Sequence, residues 1–217
     1  MVPHRSQPRQ RAQPVPPENV MQAGQRQKNR TVTRLINAFT GLIGQRHYQE
    51  LGVAEIAEAA DVGRSTFYRH FKSKADLLVG LHRSIFRDLF ADLQSSEQWL
   101  AETPPPSLER FLEQYQKRSD LRRAVAYRLG ADTGYVSRHT RELLTSLVEE
   151  NLSHCFADKA LTLPLPLLAH SIAGSYAWML TQWLSGKQSY SNDEMALHIH
   201  QLSRAAIVAA LNSENRG

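Results

Sequence analysis

The 217 residues include one cysteine, Cys155. Without a second cysteine the chain forms no internal disulfide, so apolar burial has to hold the core, and a reducing cytosol suits it. Long hydrophobic runs are also missing. The longest apolar stretches are interrupted by His, Gln or Ser well before the roughly 20 residues that span a bilayer, so no membrane partner is expected. The amino terminus has no apolar segment of the kind a secretory signal requires, and a cytoplasmic location is the expectation. No glycine-rich phosphate loop, G-x-S-x-G or H-E-x-x-H string occurs, which leaves nucleotide, acyl-transfer and zinc-hydrolase chemistry without support. The histidines do not gather. His198 and His200, two apart on one predicted helix, face different sides, His154 and Cys155 are adjacent and equally badly placed, and His170 stands alone. Cys155 reads as a small buried hydrophobe. No metal site, no cofactor and no enzymatic activity is expected.

What is present is ordinary in amount and uneven in placement. Hydrophobic residues make up 41% and charged residues 22%, enough apolar material for a core without staples. Residues 1–83 carry 13 Lys/Arg against 6 Asp/Glu, net +7, while residues 84–217 carry 13 against 15, net −2. A basic amino-terminal part on a near-neutral body points to a polyanion met by one end of the molecule.

Residues 1–25 are rich in Pro, Gln and Arg and lack apolar periodicity, which predicts a disordered basic tail. From about Arg26 the pattern is helical throughout, with no period-2 strand. Leu35, Ile36, Phe39, Leu42 and Ile43 form an amphipathic stripe, with Gly44 placed as a carboxy-terminal cap. A short helix follows at Val53–Ala60. A longer one runs from Lys74 to about Gln94, capped by Ser73 with Asp76 in its first turn. Pro104, Pro105 and Pro106 break the chain. Further helices are expected near Leu108–Arg118, Leu121–Leu129, Val136–Phe156 and Leu167–Leu184. A last one starts at Ser191, whose spacing to Glu194 suits a capping box, and reaches about Leu211. The fold class is therefore all-α with about nine helices. It divides into the tail (1–25), a three-helix helix-turn-helix unit (26–73) and a helical body (74–217).

The segment Gly52–Lys74, G-V-A-E-I-A-E-A-A-D-V-G-R-S-T-F-Y-R-H-F-K-S-K, carries the chemistry. Its first helix buries Val53, Ile56, Ala57 and Ala60, and the small alanines admit a close neighbour. Asp61–Val62–Gly63 forms a tight turn, since Asp tolerates left-handed backbone and Gly any. The helix Arg64–Phe71 is about 12 Å long at 1.5 Å per residue, a match to a major groove about 12 Å wide. At about 100° per residue Phe67 and Phe71 share the buried side, Ser65 and Arg69 point away, and Thr66 and Tyr68 lie on the flanks. Such an exposed polar face suits contacts to phosphates and base edges. His70 lies near the buried side, where packing or a phosphate contact suits it better than base reading.

The run I-A-E-A-A-D-V-G-R-S-T-F-Y-R-H-F-K-S-K-A-D-L-L resembles the signature of the TetR (tetracycline-repressor-like) family, and with the preceding helix the resemblance spans about Arg26–Leu93. The matching positions include Ile56, Ala57, Ala60, Val62, Thr66, Tyr68, His70, Phe71, Lys74 and Leu77. The resemblance implies a homodimeric one-component transcriptional regulator of the bacterial cytosol, associated with the nucleoid. It also implies DNA contacts from Thr66, Tyr68 and Lys74, and base reading by Arg64. With Ser65, Arg69 and His70 these make up the expected DNA-binding set. Three positions depart from the family pattern: Gly52 stands where Thr or Ser usually caps the first helix, Asp61 where Gly is usual, and Gly63 where Ser is usual. The phosphate contact of the cap hydroxyl is thereby in question, though each residue present still suits a cap or turn.

Beyond Leu93 the resemblance is one of pattern. It implies a body that dimerises through its last two helices and encloses a small-molecule site. The candidate dimer residues are Ala169, Ile172, Ala173, Tyr176 and Leu180 on one helix and Met195, Ile199, Leu202, Ala206 and Ala209 on the other. The same stripes also suit the chain's own core. Trp178 and Trp183 are expected elsewhere on the surface of the first of these helices. The candidate pocket residues are Phe111, Tyr115, Tyr127, Val148, Leu152 and Tyr176, which serve equally as core. The expected mechanism is repression at a palindromic operator, relieved when an effector favours the wrong spacing of the two reading helices. The alternative is a ligand-independent architectural or division-linked DNA binder on the same fold.

Overall fold

The computed structural model describes residues 18–117, 129–184 and 189–211, and every regular element among them is helical. Nine α-helices occur in this part of the chain: α1 (Glu18–Gln45), α2 (Val53–Ala59), α3 (Arg64–His70), α4 (Lys74–Leu89), α5 (Ser96–Leu100), α6 (Pro106–Lys117), α7 (Thr133–Cys155), α8 (Leu165–Leu184) and α9 (Asn192–Leu211). Short 3-10 turns stand at Tyr48–Glu50 and Gly130–Asp132. The expected helix at Leu121–Leu129 lies almost wholly outside the described residues.

Three boundaries differ from the sequence expectation. Helix α1 begins at Glu18, within the segment read as tail: Met21, Gln22, Ala23, Gln25, Arg26, Gln27 and Lys28 are good helix formers, and together they outweigh Gly24. It also continues through Gly44 to Gln45. Helix α4 stops at Leu89 instead of near Gln94. Ser95 then starts the separate short helix α5: its hydroxyl accepts from the Gln98 N–H, while the Gln98 side chain accepts from the Ser95 N–H. This reciprocal cap satisfies the free donors of the new helix start and makes the break favourable.

The chain packs around two apolar cores. The first gathers Leu35, Phe39 and Ile43 of α1, Ile56 and Ala57 of α2, Phe67 of α3, and Leu77, Leu78 and Leu81 of α4. The second contains Phe86, Leu89, Phe90 and Trp99, with Leu143, Val148 and Leu152 of α7 and the inner faces of α8 and α9. Helix α4 is thus common to both, its first half buried in the head and its second half in the body. It is a continuous helix about 24 Å long at 1.5 Å per residue, so a single rigid element runs from one core to the other. Gly80 makes the first crossing possible: a Cβ there would lie 2.8 Å from the Phe71 ring.

A second element bridges the cores. Val136 of α7 is buried among the head residues. The Tyr48 hydroxyl donates to Asp132 Oδ2 at 2.7 Å. Gly130, at φ +59°, brings the chain so close to Gln49 that a Cβ would fall 2.6 Å from its amide nitrogen. The positive φ favours glycine there, while the exposed Gln49 side chain is free to turn aside.

Candidate nucleic-acid interface

Helix α2 ends in a Schellman turn. The Val62 N–H bonds the Ala57 carbonyl and the Asp61 N–H bonds that of Glu58, each at 2.9 Å, which is the pattern of a helix end with one residue in the left-handed region. That residue is Asp61, at φ 50°. Arg34 of α1 reaches across to it, donating to its carbonyl at 2.8 Å and its carboxylate at 2.7 Å. The turn therefore forms with Asp where glycine is usual, and α1 helps to hold it. At the start of α2, Gly52 has no side chain to cap the helix; Glu55 accepts from the Gly52 N–H and pairs with Arg46 instead.

Helix α3 leaves this turn with the sidedness that its sequence predicts. Phe67 is fully buried and Phe71 nearly so, while Arg64, Ser65, Tyr68 and Arg69 are exposed and Thr66 is half-buried. Tyr68 is 57% exposed, a large aromatic held out in solvent. Its ring stands edge-on to Phe67 with centroids 5.4 Å apart, so the buried ring orients the exposed one. Arg69 lies over Thr66, Nη2 to Oγ1 at 3.5 Å. His70 is half-buried, and its Nδ1 is shut off from solvent without a hydrogen-bond partner among the described residues. Burial first, then the charges of Arg69 and Lys28, hold its imidazole below the ordinary value of 6.5. These features match the packing side of the helix, not the face that meets solvent.

Lys74 differs from the sequence expectation. Its ammonium faces inward and donates to the carbonyls of Tyr48 at 2.8 Å, Leu51 at 2.9 Å and Gln49 at 3.4 Å, and it sits 4.4 Å from the centroid of the Tyr48 ring. An ammonium has three N–H donors, and all three meet carbonyls here, which leaves none for a phosphate. Burial lowers its pKa while Asp132 opposes the shift. Lys74 ties the 3-10 turn before α2 to the start of α4. Tyr48 itself combines this contact with its bond to Asp132; burial first, and the carboxylate beside it, push its phenol well above the ordinary 10, so it stays a neutral donor. Sequence reading missed Tyr48 and Asp132 because they stand 84 residues apart and neither lies in a motif.

In the body, Phe111 lines a cavity of about 390 Å³ between α4, α6, α7 and α8, together with Leu78, His82, Ile85, Phe86, Val136 and Thr140. Of the other candidate pocket residues, Val148, Leu152 and Tyr176 are solid core with at most 1% exposure. Tyr127 lies outside the described residues, as does the side chain of Tyr115.

The candidate dimer residues divide in the same way. Ala169, Ile172, Ala173, Tyr176, Leu180, Met195 and Ile199 are buried within this chain, because that face of α8 and α9 is the one that meets α7 and the body core. Leu202 and Ala209 are exposed and Ala206 is half-buried. The opposite face of α8 presents Leu167, Ser171, Gly174, Trp178 and Thr181 to solvent, every third or fourth residue. Trp178 is 61% exposed and Leu202 53%. Trp183, in contrast, is buried, with its indole N–H bonded to the Tyr190 carbonyl at 3.0 Å.

Residues 35–81 match the family described as bacterial regulatory proteins, tetR family. No curated protein matches the chain. Solved structures share its fold. The TetR family repressor AlkX from Dietzia sp. strain DQ12-45-1b has 16% identity and a TM-score of 0.55, over 83% of this chain and 96% of that one. DhaS, a dihydroxyacetone kinase operon activator, has 15% identity and a TM-score of 0.52, over 83% and 98%. RolR, solved with the ligand resorcinol, has 20% identity and a TM-score of 0.50, over 86% and 96%.

Proposed function

We propose that this chain, whose residues 35–81 match the tetR family of bacterial regulatory proteins, acts as a cytoplasmic, non-enzymatic homodimeric repressor released from a palindromic operator by a small-molecule effector. The observation that carries the reading is the outer face of α3. Arg64, Ser65, Tyr68 and Arg69 are all exposed on one short helix, and they lie within residues 1–83, which carry a net charge of +7. A guanidinium such as that of Arg64 is suited to bidentate contact with guanine, while Ser65, Thr66, Tyr68 and Arg69 supply phosphate and base-edge donors. Lys74 acts at one remove, fixing the turn that precedes α2. His70 packs the back of the reading helix.

Two such helices need a two-fold partner. The outer face of α8 and α9, with Leu167, Trp178, Leu202 and Ala209 in solvent, is the surface whose burial a second copy would make favourable. In this reading the division into a reading head to about residue 73 and a body beyond it has two joints. One is α4; the other is the Gly130–Val136 segment, which touches the head through Tyr48 and Gln49. Leu78, His82, Phe86 and Val136 line the body cavity and lie on these same two joints, and Thr140 lines it one helical turn beyond Val136. A ligand there touches both joints, and a difference in those contacts between two head positions is what a switch requires.

The test is selection and sequencing of genomic fragments bound by the purified protein, with affinity followed against salt. A few palindromic sites and a steep salt dependence are expected, since each phosphate contact releases counterions. Many scattered sites without symmetry would favour the architectural alternative. Affinity that does not change with salt would remove the DNA-binding reading.

A further inference from the structure

We infer that the body cavity is built for a neutral, mostly apolar molecule, of the size of a substituted phenol, that donates a hydroxyl hydrogen to His82. The inference rests on the reading of this cavity as the effector site and adds the chemistry of the effector. Its first support is the state of His82. The side chain is buried at 8% exposure and lines the cavity from α4. Its Nδ1 lies 2.8 Å from the Leu78 carbonyl oxygen. A carbonyl only accepts, so Nδ1 carries the hydrogen and, in the neutral ring, Nε2 is left as an acceptor. Nε2 has no partner among the described residues, and burial keeps the ring in its neutral form by lowering its pKa from 6.5.

The second support comes from the other side of the cavity. The Thr140 hydroxyl of α7 is shut off from solvent and lacks a hydrogen-bond partner. Leaving such a group unmatched costs about 1–3 kcal/mol. A hydroxyl is the group that supplies what each of them lacks, a hydrogen for the His82 nitrogen and an acceptor for the Thr140 hydroxyl. The rest of the wall sets the remaining shape: Ile85, Phe86, Phe111, Leu144 and Leu180 are apolar, and two of them are aromatic. The volume, about 390 Å³, falls at the small end of the roughly 300–1,000 Å³ typical of ligand sites. Arg141 also lines the cavity but is itself exposed. Its guanidinium keeps its water and adds only a weak, screened attraction for an anion at the mouth. A carboxylate placed deeper would face the lone pair of His82 and is disfavoured.

The experiment titrates the full-length protein calorimetrically with 4-propylphenol, its methyl ether 4-propylanisole, and 4-propylbenzoate, alongside operator binding by the same preparation. The phenol is expected to bind at least about tenfold more tightly than either analogue, because a site built for a hydroxyl rejects a molecule that cannot supply the hydrogen. His82→Phe should bring phenol affinity down to that of the ether while leaving the ether unchanged. Thr140→Val, nearly the same in shape, should instead weaken phenol and ether together, since either oxygen accepts from the threonine hydroxyl, and it tests the second support if the first variant fails to fold. Equal binding of phenol and ether, tightest binding of the benzoate, or no binding of any of the three overturns the inference. Operator binding separates the two readings: a preparation that binds its operator but none of the probes leaves the regulator standing and removes the hydroxyl site. One that binds the phenol in a His82-dependent way yet stays on its operator keeps the site and removes its role as effector switch.

Discussion

The Tyr48 hydroxyl and the Asp132 carboxylate meet at 2.7 Å across 84 residues of sequence, and this bond fastens the body to the turn that precedes α2. Lys74 extends the clasp by donating to the carbonyls of the same turn. A hydrogen bond to a charged acceptor contributes about 1.5–3 kcal/mol where it is sheltered. Tyr48→Phe should therefore lower the unfolding free energy by about 1–2 kcal/mol, allowing for partial exposure. It should also weaken effector-driven release more than operator affinity itself. Urea denaturation checks the first effect and operator titration with and without effector the second. An unchanged response to effector would show that α4 alone carries the coupling.

Tyr68 and Lys74 separate reading from positioning. Tyr68 is exposed and touches little but Phe67, so Tyr68→Ala should abolish specific operator binding while leaving the melting temperature nearly unchanged. Lys74→Ala should lower both, by about 1–3 kcal/mol in stability, because it leaves the Tyr48 and Leu51 carbonyls unmatched. Circular-dichroism melts together with operator binding distinguish the pair. Full stability in Lys74→Ala would make it a surface cation after all.

Asp61 tests the turn. At φ 50° an alanine meets the steric cost of left-handed backbone, about 1–2 kcal/mol, and also loses the bond from Arg34 to the carboxylate, keeping the one to the carbonyl. Glycine removes the steric cost and loses only that bond, whose Asp61 side chain is 98% exposed and so contributes little. Asp61→Ala should be the less stable of the two by about 1 kcal/mol in chemical denaturation, with Asp61→Gly close to the unaltered protein.

The buried histidines set the response to acid. His82 and His200 both have their pKa lowered from 6.5, in each case chiefly by burial. The unfolded chain therefore takes up protons near pH 6.5 that the folded chain refuses. The stability these rings contribute is present above about pH 6.5 and is lost as pH falls toward their folded values. Melting temperature should fall between pH 7.5 and 5.5, and His200→Gln, which keeps a donor for the Ala101 carbonyl, should flatten that slope. A slope unaltered by the substitution would assign the acid response to other groups.

Trp178 reports on assembly. It stands 61% exposed in the middle of the outer face of α8. Trp178→Glu should convert a dimer to a monomer in analytical ultracentrifugation with little loss of helix content, because the side chain has no part in the body core. A dimer that survives the change would move the interface elsewhere.

Helical class, the positions of α2 and α3, and the outward face of α3 were all legible in the residues. They follow from short-range causes: an apolar period, two phenylalanines four residues apart, and an aspartate and two small alanines at a turn. The family signature lies wholly within this local segment. What only the tertiary structure decided are the choices between two faces that look alike in sequence. The stripe Ala169–Ile172–Ala173–Tyr176–Leu180 has the period of an interface and of a core alike, and only the arrival of α7 against it made it core and left Trp178 outside. Lys74 carries the same charge whether it faces phosphate or carbonyl; the path of the Tyr48–Leu51 turn turned it inward. The clasp of Tyr48 on Asp132, and the cavity that His82 and Thr140 both line, bring together residues far apart in sequence, and no local period records such a meeting. Hydrophobic spacing specifies which side of a helix is buried, but it leaves the partner to the packing of the whole chain.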